Sequence, residues 1–350
     1  MLPELIFTPM KRILPALILI LSVLPEAKAQ SSFEMGLNLG VTNYFGDLGN
    51  EPWVQTGSTS PGVALTFRNF SGGTTVGGYR YRPLSWEFRL SWNRLQYDET
   101  KPIGNQTGFE LRNYGRGISF RNDLFGAAFH VTYTLFENPR VPLHHQRAAF
   151  FVFGGVGAYY GKPMADLFRG DMDMDNKYYF WPDGTIRDAD YKASGGQANI
   201  IEKDGTYETD LSDWMTEGSG YKGEGKSTSA YDFINVGFPL GCGIRWGLSE
   251  KITMSAEFGY YFFLTDYLDD VSDEYPTYAE INANFPNDPE KQAMALYIAD
   301  PTGWGTNGYP GPATSRRGNP SEKDSFSFIN LEIAYKFDLR KELPRIWGKR

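Results

Sequence analysis

Two acidic runs offer the first chemistry. "DYLDDVSDEY" (266–275) crowds Asp266, Asp269, Asp270, Asp273 and Glu274 into one short segment. Carboxylates at such spacing are the ligands a hard cation such as Ca²⁺ takes. Asp266, Asp269, Asp270 and Asp273 are therefore the calcium candidates. "DMDMDN" (171–176) starts like the acidic half of a helix–loop–helix calcium site. Asn176 stands where that loop needs glycine, and no glutamate stands at the twelfth position, where the bidentate ligand belongs. The match is poor. A hydrated loop is the favoured reading of both runs, with no cofactor expected.

Histidine offers the second chemistry. His144 and His145 flank no other ligand type and sit by Pro142, in a segment that reads as an exposed turn. His130 lies in a strand-like segment. A lipid-cleaving barrel would need a serine, this histidine and an acid as one relay. Ser91, Ser255 and Glu257 are available, but nothing in their spacing selects them. A packed interior histidine is the favoured reading, and no catalytic residue is expected. "FGGVGAYYG" (153–161) is glycine-rich without the lysine and following helix of a phosphate loop.

The elements that carry these residues show period two. "EMGLNLGVT" (34–42) sets Met35, Leu37, Leu39 and Val41 against Glu34, Asn38 and Thr42. "LSWEFRLSW" (84–92) sets Leu84, Trp86, Phe88, Leu90 and Trp92 against Ser85, Glu87, Arg89 and Ser91. The segments 233–246, 252–262 and 328–337 alternate in the same way, and 62–70 and 120–136 do so less cleanly. "AFFVFGGVGAYYG" (149–161) is apolar on both faces and has no readable phase.

These make eight strands, several long enough to cross a bilayer at a tilt. Their polar faces carry Glu34, Arg68, Glu87, Arg89, His130, Arg245, Glu257, Glu332 and Lys336. Opposite charges on the inner face of a narrow barrel would pair and fill it. A soluble sandwich has the reverse polarity. The expected fold is all-β, an up-and-down transmembrane antiparallel barrel. Its connections alternate in length. Those at 45–61, 98–117, 162–232 and 264–325 are long and polar. Those at 71–83, 137–148 and 247–251 are shorter, as in barrels with long outer loops and short periplasmic turns. Tyr and Trp near strand ends suit interfacial girdles, with sugar stacking as the rival.

The N-terminus reads as export. Lys11 and Arg12 precede the apolar run 13–24, and Ala27 and Ala29 fit a cleavage site after Ala29. The expected domains are a signal at 1–29, a barrel at 30–337 and a periplasmic tail at 338–350. Cleavage moves the net charge from −8 to −9, since it removes three basic and two acidic residues. So acidic a surface disfavours nucleic acid as a partner. One cysteine, Cys242, rules out an intrachain disulfide.

Several stretches carry a family resemblance. They are "GVTNYFGDL" (40–48), "ISFRNDLFGAAFHVTYTLFENP" (118–139), "FVFGGVGAYYGKP" (151–163) and "FPLGCGIRWGLSEKITMSAEFGYYFFLTDYLDDVSDEY" (238–275). They resemble the PorG-type outer-membrane barrels tied to type IX protein secretion and gliding. N-Y-x-G-D-L and T-D-Y-L-D-D-V-S are the most specific pieces. The resemblance implies an eight-stranded, non-enzymatic barrel in the outer membrane. It implies partners in the periplasmic secretion ring, met through the short turns and the tail, and outer-membrane lipid around the wall. A passive surface barrel is the alternative, and a lipid-modifying enzyme using His130 is another.

Overall fold

Alternation along each strand closes into a wall with its polar side inward. A computed structural model describes residues 32–49, 54, 56–70, 74–76, 79–81, 83–99, 117–135, 148–166, 179–180, 186–189, 191–200, 205–217, 222–223, 226–227, 232–300 and 316–338. The wall strands are β1 (Ser32–Phe45), β2 (Ser60–Phe70), β3 (Leu84–Asp98) and β4 (Ser119–Leu135). They continue as β5 (Ala149–Tyr160), β6 (Ile234–Gly247), β7 (Ile252–Phe263) and β8 (Ser325–Asp338). Each pairs antiparallel with its sequence neighbours. β1 pairs with β8 from Ser32↔Asp338 to Phe45↔Ser325, which closes the barrel. Closure removes the open edges that hydrocarbon does not tolerate.

The outer face is apolar. Leu37, Leu39, Phe88, Phe125, Val156, Leu240, Phe258 and Leu331 are all exposed on it. Their strand neighbours one residue away are buried, as in the alternating pattern of β4. A globular sheet in water would bury this face, so the wall has the polarity of a membrane-spanning barrel. Among the described residues no helix is long and apolar enough to cross a membrane. In β5, where the sequence has no readable phase, Phe151, Phe153 and Tyr159 point inward and Phe150, Val152 and Tyr160 outward.

The turns follow local chemistry. At 248–251 the Ser249 hydroxyl accepts the Lys251 and Ile252 amides, and the Leu248 amide bonds the Ile252 carbonyl. The connection after β2 holds a small hairpin, Thr74–Val76 against Tyr79–Tyr81. At the other end, Pro163–Ala165 extends the wall beside β4 and pairs with Thr209–Asp210.

Among the described residues, α-helix interrupts the all-β expectation in the connection after β7. Between β7 and β8 lie α1 (Tyr278–Asn284) and α2 (Pro289–Ala299). Thr277 and Glu280 form a capping box on α1. Asp288 caps α2 and Pro289 opens it, a pairing favoured at helix starts. Residues 1–29, the run 171–176, His144 and His145 lie outside the described residues. So does the tail beyond Asp338.

Candidate functional site: a filled lumen and a capped mouth

The lumen is layered. Its middle and turn-side part is ionic. Arg68 of β2 is buried and reaches three strands at once. Its guanidinium meets Glu34 of β1 at 3.2 Å, Glu87 of β3 at 2.7 Å and Glu332 of β8 at 3.0 Å. Arg89 of β3 meets Glu87 at 2.6 Å and Glu257 of β7 at 2.8 Å. Ser255 donates to Glu332 at 2.8 Å, and Thr66 donates to the same carboxylate. Gly36 on β1 is required by this crowding: a Cβ there would collide with Glu332 and Thr66. Arg245 of β6 is buried with its guanidinium 4.7 Å from the Phe151 ring.

His130 of β4 is fully buried. Its Nδ1 lies 3.5 Å from Glu87, and its ring stacks on Phe153 with centroids 5.2 Å apart. Ser255, one of the serines a hydrolytic relay would draw on, is committed to Glu332. Nothing in this placement assembles a serine–histidine–acid relay among the described residues.

Toward the long-loop end the lumen turns aromatic. Tyr261 stacks on Phe326 with centroids 4.5 Å apart, and Tyr159 meets Phe263 edge-on at 5.2 Å. Tyr44 meets Phe120 edge-on at 4.9 Å. Leu95, Leu124 and Phe328 fill the same level.

Above it lies a cap made by the acidic run after β7. The hydrated loop expected there is not what forms. Asp266, Asp269 and Asp270 are buried, while Asp273 and Glu274 are partly exposed. Leu268 and Val271 drop onto the aromatic layer. Asn122 of β4 holds the Leu268 carbonyl at 2.8 Å. Tyr44 donates to Asp269, and its hydroxyl lies 3.4 Å from Asp324. The far oxygens accept backbone amides, Val271 at 2.9 Å and Leu268 at 2.8 Å. Asp47 accepts the Asn319 amide at 2.9 Å. The two motif pieces, N-Y-x-G-D-L and T-D-Y-L-D-D-V-S, therefore meet as one physical unit.

Arg317 stitches the cap to the loop between β5 and β6. It is buried and reaches Glu217 at 3.3 Å, Asp270 at 3.2 Å and the Ala299 carbonyl at 3.3 Å. Glu217 also accepts the Ser272 and Asp273 amides at 2.8 and 3.0 Å. Burial pushes the Glu217 carboxyl up to about 7, against the pull of Arg317. Burial also raises Asp269 and Asp324, helped by Asp47 beside the first and Asp269 beside the second. The calcium candidates point into different contacts. Among the described residues no three His, Cys, Asp or Glu side chains gather as a set that could hold a metal ion.

No family model matches this chain, and no curated protein does. Solved structures with similar form include three proteins of low identity. The Neisserial surface protein A is 8% identical, with 87% of this chain and 97% of that one covered and a TM-score of 0.32. Ail, the attachment invasion locus protein of Yersinia pestis, is 7% identical, covering 88% and 100%, with a TM-score of 0.31. A major outer membrane protein from Thermus thermophilus is 9% identical, covering 88% and 100%, with a TM-score of 0.36. At these scores the closed barrel rests on its own strand register, not on the likeness.

Proposed function

We propose that this chain is a non-enzymatic outer-membrane barrel that anchors periplasmic partners, as an accessory part of a type IX protein-secretion and gliding machine. The observation that carries the non-enzymatic, non-channel part is the filled lumen. Arg68 and Arg89 tie charged groups across the bore, and an aromatic layer and a hydrogen-bonded cap close it above. A filled bore leaves position in the membrane as what the fold supplies. The secretion part rests on the motif resemblance, whose two most specific pieces build the cap.

The partner would dock on the side opposite the cap, at the short turns and the tail. Removing residues 339–350 leaves β8 intact. We expect the truncated barrel to keep its heat-dependent gel mobility while co-purification of periplasmic proteins from native outer membranes falls at least severalfold. Unchanged co-purification would remove the tail from the mechanism.

A further inference from the structure

We propose that the wall opens sideways between β5 and β6, giving the lipid phase access to the inward-facing rings of Phe151 and Phe153. The inference rests on the chain being a membrane-spanning barrel and is independent of any role in secretion.

Three observations point to this seam. Its ladder is interrupted: pairing runs to Gly237↔Gly157 and resumes only at Leu240↔Gly154. The missing pairs are those of Phe238 and Pro239. Proline has no N–H to donate, so the break lies in mid-strand, at the level where hydrocarbon penalises a lost backbone bond most. The other seven ladders run without a gap.

The seam also lacks ionic bolts. β5 carries no charged residue at all. Arg68 and Arg89 lock β1, β2, β3, β7 and β8 to one another, so β5 can part from β6 without separating any of those pairs. The Arg245 guanidinium over Phe151 crosses the seam near its turn end, and Lys162 over Phe233 crosses it at the loop end.

Finally, the inner face at the seam is ring on glycine. A Cβ at Gly241 would collide with Phe153, one at Gly243 with Phe151, and one at Gly237 with Tyr159. The Phe151 and Phe153 rings lie against glycines of β6, and their polar contacts come from Arg245 over Phe151 and from His130 and Arg89 on Phe153. Parting the strands uncovers the outer-leaning edges of the Phe151 and Phe153 rings, a contact suited to a hydrocarbon chain rather than to a polar solute.

Hydrogen exchange on the full barrel in lipid nanodiscs tests the idea. Amides at 153–157 and 237–241 should exchange about tenfold faster than mid-strand amides of β1 and β8, the size of one net hydrogen bond. Pro239→Ala restores the donor and should slow them to the common level. A staple gives a second reading that needs no repacking. Cys242 faces Val152 across the seam and Phe258 across the β6–β7 ladder. Val152→Cys, oxidised with glutathione disulfide, should slow exchange at the seam, and Phe258→Cys should not. Equal protection around the whole wall overturns the proposal. So does equal slowing by both staples.

Discussion

Arg68→Met is expected to destabilise the barrel by about 3–5 kcal/mol, the range for breaking one partner out of a buried charge network. The side chain sits at the junction of four strands. Without it, Glu34, Glu87 and Glu332 face one another in a buried lumen, where Glu87 keeps Arg89 and Glu332 keeps the Ser255 and Thr66 hydroxyls. The loss is a large share of an ordinary domain's stability. Arg68→Lys should fall between, because a point charge cannot serve three carboxylates in a fixed fork. Urea titration in micelles, read by gel mobility, measures the effect. Adding Glu332→Gln to Arg68→Met removes one stranded charge and should recover part of it. If the Arg68→Met barrel proved as stable as the parent, the network would not be what holds the wall.

Arg317→Met is expected to free the cap while leaving the barrel closed. The guanidinium is the one group that joins Glu217, Asp270 and the end of α2. Its loss leaves two buried carboxylates and should cost the cap about 3 kcal/mol. Limited proteolysis should then cut within 264–300 at least a hundredfold faster, with the barrel band unchanged. The same assay reads the proton balance of the cap. The folded Glu217 carboxyl is raised to about 7 by burial. A raised carboxyl contributes its full stability below the unfolded value, near 4, and loses it as pH rises through 7. Burial raises Asp269 and Asp324 as well, so they act in the same direction. The cap should therefore resist protease better at pH 5 than at pH 8. Glu217→Gln should flatten the part of that profile near pH 7. Resistance that rises with pH would reverse the assignment.

The wall was the legible part. A strand puts successive side chains on opposite faces, so Leu37 and Leu39 against Glu34 and Asn38 already state which side meets lipid. β5 resisted because both of its faces are apolar: its inner surface packs rings on glycine rather than charge on charge. The cap was harder. Asp269 and Asp270 read as solvated because acids usually are. What buries them is contributed from far along the chain, by Tyr44, Arg317 and the amides of a folded loop. The two helices had local signals that a β-patterned reading passed over: Thr277 with Glu280, and Asp288 before Pro289. Arg317 had no local signal. An arginine pair in a polar stretch says nothing of the carboxylates that fold around its second member.

A barrel with a filled lumen that serves anchorage, as we propose, conducts no ions along its bore. Planar-bilayer conductance tests it most directly. The intact protein, inserted with its gel mobility shown to be that of the folded barrel, should carry no steady current above the bare membrane at any moderate voltage. A stable ohmic conductance would overturn this, because the ion network and the aromatic layer fill the described part of the lumen.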